Sequence, residues 1–170
     1  MASTVTSRGK LELMFREQVS GLDLAVGGPV ISILREFDLA SGTGDNTFDM
    51  VWTDTRTLTA TSETLDLSGS LTSAVGVSIT FVEIGLIYIY NKATAAASVL
   101  IVGNGAAPAF AGFLGGATQT MKVGPSGWVC WYSPLDSAGL TVANTTAQDL
   151  KIDAGAATIT YDIILVGRSA

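Results

Sequence analysis

Histidine is missing from this chain. Its absence removes Ser-His-Asp and Cys-His catalysis, and with them the commonest metal ligand, in one step. Cysteine occurs once, at Cys130, so no intramolecular disulfide can form. Nothing in the composition therefore marks an oxidised secreted scaffold, and a reducing compartment is the expectation. Charge is also sparse, at 14% of residues, with 9 basic against 15 acidic side chains and a net charge of −6. No Lys/Arg cluster is present. A nucleic-acid surface needs a concentrated positive field to release counterions from phosphates, so direct contact with nucleic acid is not expected. Every apolar run is cut by Gly, Asn, Thr or Pro before the ~20 residues that a spanning helix needs, so no membrane contact is expected either. Met1 to Phe15 carries Arg8 and Lys10 but no continuous apolar stretch behind them. No secretory signal is read there, and synthesis in the cytoplasm is expected.

What is abundant is apolar: 48% of the 170 residues, with a mean hydropathy of +0.44. One core of this size buries roughly 70% of the surface exposed by the unfolded chain, so a single domain without staples is expected. Little charge and much apolar surface together predict that part of the outside faces another chain.

Short apolar runs of period two, separated by Gly, Ser, Thr, Asn or Asp, are the signature of half-buried antiparallel strands. Ile31, Ile33, Phe37 and Leu39 alternate with Ser32, Glu36 and Asp38. Phe48, Met50 and Trp52 alternate with Asp49, Val51 and Thr53, and Met121 and Val123 with Thr120 and Lys122. Leu150 and Ile152 repeat the pattern. Ile159, Tyr161 and Ile163 lead into Ile164-Leu165-Val166, which is apolar on both sides and predicts a strand at the centre of a sheet. From Val77 to Tyr90, Ile79 and Phe81 share one face, then Ile84, Leu86, Tyr88 and Tyr90 the other. The phase change at Glu83 and Gly85 predicts a bulge or two strands. Lys10 to Val19 has a helical composition, with Leu11, Met14 and Phe15 at helical spacing, while Leu11, Leu13 and Phe15 fit a strand equally well.

Loops are expected at Gly27-Gly28-Pro29, residues 41–46, Gly103-Asn104-Gly105, Gly115-Gly116 and Gly124-Pro125-Ser126-Gly127. The expected fold is all-β: an antiparallel β-sandwich, jelly-roll-like, over residues 26–170, preceded by an extended N-terminal arm over residues 1–25.

Candidate chemistry is thin. Asp45, Asp49, Asp54, Glu63 and Asp66 form the densest acidic group, from which a glycosidase pair would have to come, or oxygen ligands for calcium. No EF-hand spacing is present, residues 41–46 read better as a turn, and solvated acids are the plainer reading. Gly103-Asn104-Gly105 lacks the third glycine of a dinucleotide fingerprint, and Pro108 follows early, so a hairpin turn is expected. Cys130 lies in Trp128-Val129-Cys130-Trp131-Tyr132 without an adjacent cation to activate it, and is read as a small core residue sharing a face with Trp128. Trp131, on the other face, is a candidate interface anchor or sugar-stacking surface. Asn144-Thr145-Thr146 fits a glycosylation sequon that means nothing without secretion. No catalytic, cofactor-binding or metal-binding residue is assigned.

Several strings in fixed order resemble a family of small structural proteins encoded among the head genes of tailed bacteriophages. They are Gly42-Thr43-Gly44-Asp45-Asn46, Val51-Trp52-Thr53-Asp54-Thr55-Arg56-Thr57-Leu58 and Leu65-Asp66-Leu67-Ser68-Gly69-Ser70-Leu71. Phe81-Val82-Glu83-Ile84-Gly85-Leu86-Ile87-Tyr88-Ile89-Tyr90-Asn91, Val102-Gly103-Asn104-Gly105 and Phe110-Ala111-Gly112-Phe113-Leu114-Gly115 follow. Val123-Gly124-Pro125-Ser126-Gly127, Leu150-Lys151-Ile152-Asp153 and Tyr161-Asp162-Ile163-Ile164 complete the set. The resemblance runs from Gly42 to the C-terminus. It implies a capsid decoration, or cement, protein: a β-sandwich assembled as a homotrimer on the exterior of the phage head, tying neighbouring major capsid protein subunits together. It implies no catalytic residue, no cofactor and no enzyme. The alternative is a carbohydrate- or receptor-binding module of a phage fibre or tail, with Trp52, Trp128 or Trp131 as stacking surfaces.

Overall fold

The computed structural model describes residues 7–18, 27–69, 71–73, 76–133 and 140–169, with the backbone alone over 7–18 and 27–39. In chain order the strands are β1 (Ser7–Gln18), β2 (Gly27–Ser41), β3 (Thr47–Phe48), β4 (Met50–Thr59), β5 (Ser62–Asp66), β6 (Leu71–Thr72) and β7 (Ser78–Ile79). They continue with β8 (Glu83–Asn91), β9 (Leu100–Gly103), β10 (Thr120–Val123), β11 (Trp128–Tyr132), β12 (Leu140–Thr141), β13 (Asp149–Asp153) and β14 (Thr158–Arg168). A short 3-10 turn lies at Gly112–Leu114.

The chain is an antiparallel β-sandwich. One sheet has the order β10-β9-β13-β5 and the other β11-β8-β14-β4, with β12 extending the β11 side of β8. Their inner faces share one apolar core. Leu65, Leu100 and Ile152 come from the first sheet, and Ile89, Tyr161 and Ile163 from the second. Except for the β9-to-β10 and β11-to-β12 links, each connection between these strands carries the chain from one sheet to the other. Asn91, fully buried, holds one such crossing. Its Nδ2 donates to Ser98 O (2.8 Å) and Val123 O (3.0 Å), and its Oδ1 accepts from Ala93 N (3.0 Å). A buried amide with its polar atoms engaged fixes a loop where an unpaired one would destabilise it.

The terminal strand lies, as expected, in the middle of its sheet, with β4 on one side and β8 on the other. Two expectations about facing are corrected. Between Val166 and Gly167 the register with β8 slips from Leu86 to Ile84, leaving Gly85 as the extra residue of a bulge. Since strand side chains alternate, one inserted residue reverses the faces. Ile84 therefore joins the inner core, whereas Leu86 belongs to a second cluster with Phe48 and Val166. Phe48 likewise parts from Trp52, because Asp49 interrupts the strand between β3 and β4. The Phe48 ring lies over Gly85, where an added Cβ would come within 2.1 Å of its Cε1.

The N-terminal expectations change as well. Lys10 to Gln18 is strand, not helix, and Val19 falls outside the described residues. β1 pairs along its length with β2, setting Leu13 opposite Ile33 and Lys10 opposite Glu36. Gly27-Gly28-Pro29, expected as a loop, opens β2. The expected boundary between arm and domain thus falls within the connection of one hairpin, and β2 pairs with β1 and β3 in a sheet separate from the sandwich. β9 ends at Gly103, and Gly103 and Asn104 take positive φ, but a long loop instead of a tight hairpin turn follows before β10. Residues 41–46 form the turn expected, closed by Thr47 N donating to Gly44 O (3.2 Å).

Gly167 sits where a Cβ would meet Glu83 O at 2.1 Å, a backbone atom with no freedom to retreat, while a Cβ at Gly44 would meet nothing within 4 Å. Gly167→Ala is predicted to lower stability by about 1–3 kcal/mol, the usual cost of overpacking, and Gly44→Ala to leave it nearly unchanged. Urea midpoints of the two variants test this; equal midpoints would show that the bulge tolerates a side chain.

Candidate functional site

The outer face of β11-β8-β14-β4 is the surface with the most chemistry exposed. Register places its residues in rows across the strands. The first row is Val51, Val166, Leu86 and Tyr132, the second Thr53, Ile164, Tyr88 and Cys130, and the third Thr55, Asp162, Tyr90 and Trp128. Phe48 covers the first row, burying Leu86 and Val166. The second and third rows are open. Trp128 is 52% exposed and stacks on Tyr88 with ring centroids 6.3 Å apart.

Charge on this face is internally cancelled. Asp162 accepts from Thr55 Oγ1 (2.6 Å) and pairs with Lys92 Nζ at 3.1 Å. The Thr55 hydrogen bond, aided by Lys92, holds the Asp162 carboxyl below its ordinary pKa. Beyond it Thr57 and Thr160 join their hydroxyls at 2.9 Å.

Cys130 shares this face with Trp128, as expected, but the face is outside: Cys130 is exposed. Partial desolvation still pushes its thiol pKa up, the opposite of what a nucleophile needs. Trp131 points the other way. It packs against the core beside Phe113 (centroids 6.3 Å), so it is not an outer anchor. Trp52 is 2% exposed, and its Nε1 donates to Thr72 O (3.1 Å). Of the three tryptophans proposed as stacking surfaces, Trp128 is the exposed one, Trp131 is partly buried and Trp52 is buried.

The acidic group is dispersed. Asp45 lies 3.5 Å from Arg168, which also pairs with Glu83 in a nearly dry site. Asp49 accepts from Ser169 N (2.8 Å), and Asp66 from Ser68 N (2.8 Å) and Oγ (2.7 Å). Asp54 and Glu63 do come together, but around one guanidinium. Arg56 Nη1 reaches Asp54 Oδ2 (2.8 Å), and Arg56 Nε donates to Glu63 Oε2 (2.6 Å). Tyr161 OH donates to Glu63 Oε1 (2.6 Å). Burial first, and the Glu63 hydrogen bond second, push the Tyr161 phenol upward, so it remains a donor. A glycosidase pair must flank a substrate bond with one acid free to give its proton. Here both carboxylates instead close the sandwich edge where β4 meets β5. A cleft of about 330 Å³ beside them is lined by Trp52, Asp54, Arg56, Thr64, Leu65, Leu71 and Thr72. Among the described residues no group of three or more Cys, Asp or Glu is placed to hold a metal ion, and no helix is long and apolar enough to cross a membrane.

No family model, curated protein or solved structure matches this chain.

Two side chains test these networks. Tyr161→Phe removes a buried donor from Glu63 and is predicted to cost about 1–2 kcal/mol, read as a lowered denaturation midpoint. For Asp162, whose folded-state pKa is depressed, the stabilisation is present above the unfolded value of about 4 and lost as pH falls through the folded one. Asp162→Asn should therefore melt below wild type at pH 7, by no more than about 1 kcal/mol for so exposed a pair. The gap should close in strong acid; a gap independent of pH would remove the carboxylate from the explanation.

Proposed function

We propose that this chain is a structural protein of a tailed-phage virion: a decoration, or cement, protein that assembles with copies of itself, as a trimer, on the exterior of the head and ties neighbouring major capsid subunits together. The observation that carries the reading is the open part of the outer sheet face, where Tyr88, Tyr90, Trp128 and Ile164 stand on adjacent strands around a cancelled ion pair. Aromatic, charge-neutral surface on rigid strands suits a lasting contact between proteins.

Two further features fit. If β4, β5, β8, β9, β10, β11, β13 and β14 are counted first to eighth, the sheets run 6-3-8-1 and 5-4-7-2. We read this as a jelly-roll winding, an architecture used in viral capsids and lectins. The β1–β2 hairpin has strands of 12 and 15 residues; the longer reaches about 50 Å when extended. A two-stranded ribbon is marginal by itself in water, so a neighbouring subunit that covered it would stabilise it and add a second point of attachment. On this reading the chain resists pressure by adding buried area across subunit joints, and no reaction is required.

Capsids assembled from the major capsid protein encoded alongside this chain should break at a higher temperature when saturated with it. Unchanged breakage, with no protein sedimenting with the heads, would reject the cement role. A glycan array addresses the fibre or tail alternative: binding lost in Trp128→Ala would favour it over the cement reading.

A further inference from the structure

One sheet edge of the sandwich is unlike the others. Among the described residues, β10, β5 and β11 are edge strands of 4, 5 and 5 residues, whereas β4 runs for 10. β4 pairs with β14 over its whole length without a register shift, and its sequence holds neither Pro nor Lys. Short strands, bulges, Pro and Lys are the devices that keep an edge from pairing with another chain. β4 has none of them. We propose that the free edge of β4 pairs antiparallel with the β4 of a second copy, centred on Thr55.

The backbone says which groups are on offer. In an antiparallel ladder, opposed residues alternate between bonded and non-bonded pairs. Ala60 N donates to Ala157 O (2.9 Å), so the even-numbered residues of β4 bond to β14 and the odd-numbered ones turn their N–H and C=O groups to the free edge. Thr55 agrees, since its N–H goes to the carboxylate of its own neighbour, Asp54 Oδ1 (2.9 Å), and not to β14.

The occupant is argued from charge complementarity. Each copy carries a net charge of −6, so two copies repel unless opposite charges meet where they touch. Read about Thr55, β4 is complementary to itself: Asp54 of each copy stands opposite Arg56 of the other, Thr53 opposite Thr57, and Trp52 opposite Leu58. Other registers lose this. A centre at Asp54 or at Arg56 opposes two like charges, which destabilises a strand pair, and a centre at Thr53 or Thr57 sets Arg56 opposite Met50 or Leu58. When the strands pair, the carbonyl of the opposing Thr55 replaces Asp54 as the acceptor for Thr55 N–H, which frees that carboxylate for the second copy's Arg56.

Main-chain hydrogen bonds supply the affinity in strand addition. A single edge removes less area than a standard interface of about 1,600 Å², so the contact is weak in dilute solution and strengthens where copies are held close together. An antiparallel pair of identical strands has a two-fold axis. It therefore cannot close a trimer and instead joins one assembly, or one single copy, to another, and it does not depend on the cement reading.

Cross-linking in a Cys130→Ser background tests the register. Thr55→Cys would lie opposite itself with Cα atoms about 5.5 Å apart, a distance that a disulfide spans. Thr57→Cys would lie about 14 Å along the strand from its own counterpart. At millimolar protein with oxidised glutathione, Thr55→Cys should form a covalent dimer at least tenfold faster than Thr57→Cys. Thr53→Cys and Thr57→Cys, each slow alone, should cross-link when mixed. Thr55→Pro removes an edge N–H without removing a bond to β14, so the fold should survive, as near-ultraviolet circular dichroism would verify. Its native mass should no longer rise with concentration above the unit seen at high dilution. Should this variant fail to fold, the cysteine series decides alone.

Equal rates for Thr55→Cys and Thr57→Cys, or a rise in mass that persists in folded Thr55→Pro, would overturn the pairing. A wild type whose mass stays constant up to millimolar concentration overturns it too, while the capsid experiment still decides the cement role. Thr55→Cys that cross-links solely to an added capsid subunit assigns the edge to another protein and likewise overturns the proposal.

Discussion

A strand with apolar residues on both faces needs cover on both sides, and β14 is that strand. Ile159, Tyr161, Ile163 and Leu165 enter the core between the sheets, while Ile164 and Val166 face outward. The opposing sheet meets the first requirement in full. The second is met only at one end, where Phe48 folds over the Gly85 bulge and buries Leu86 and Val166. From that end outward the sheet stays open, and its aromatic residues stand where cover would have to come from elsewhere. Each fully buried Leu or Ile contributes about 1.5–3 kcal/mol, and most of the fully buried ones lie on the inner face. The second and third rows of the outer face stay uncovered by the chain's described residues.

The polar residues divide in the same way. At the sandwich edge Arg56 joins Asp54 and Glu63, with Tyr161 donating from the core. At the far end of β14, Arg168 bridges Glu83 and Asp45. Arg56 lies on the edge strand β4 and Arg168 at the end of the central β14, and the fork geometry of guanidinium lets each satisfy two carboxylates at once. These acids are therefore engaged in closing the fold. That is why the densest acidic stretch of the chain yields ion pairs and turns instead of a cluster with free proton affinity.

Much of the fold was legible in the residues. The alternation in Thr120–Val123, Asp149–Asp153 and Thr158–Arg168 marks strands whose inward residues are buried, since period two leaves few other ways to hide an apolar set. The doubly apolar Ile164-Leu165-Val166 marked the centre of a sheet. Facing was less legible wherever a bulge intervened: Ile84 and Leu86 read as neighbours on one face until Gly85 is inserted between them. The candidate face was legible only in part. Tyr88, Tyr90 and Trp128 each show in the sequence as strand aromatics, but the reading that put Trp128 with Cys130 on the core face and Trp131 on the outer one is the reverse of what the structure holds.

The sequence by itself determined the class of structure, because composition and periodicity act locally: little charge and short alternating runs point to an all-β domain. Tertiary structure alone decided which aromatic rings are inside. That choice depends on strand register, on one inserted glycine and on which sheet each strand joins, and residues far apart in the chain set all three. Trp128 faces water because it pairs with Tyr90 on the outer face, and Trp131 faces the core because it is an odd number of residues, three, further along the same strand.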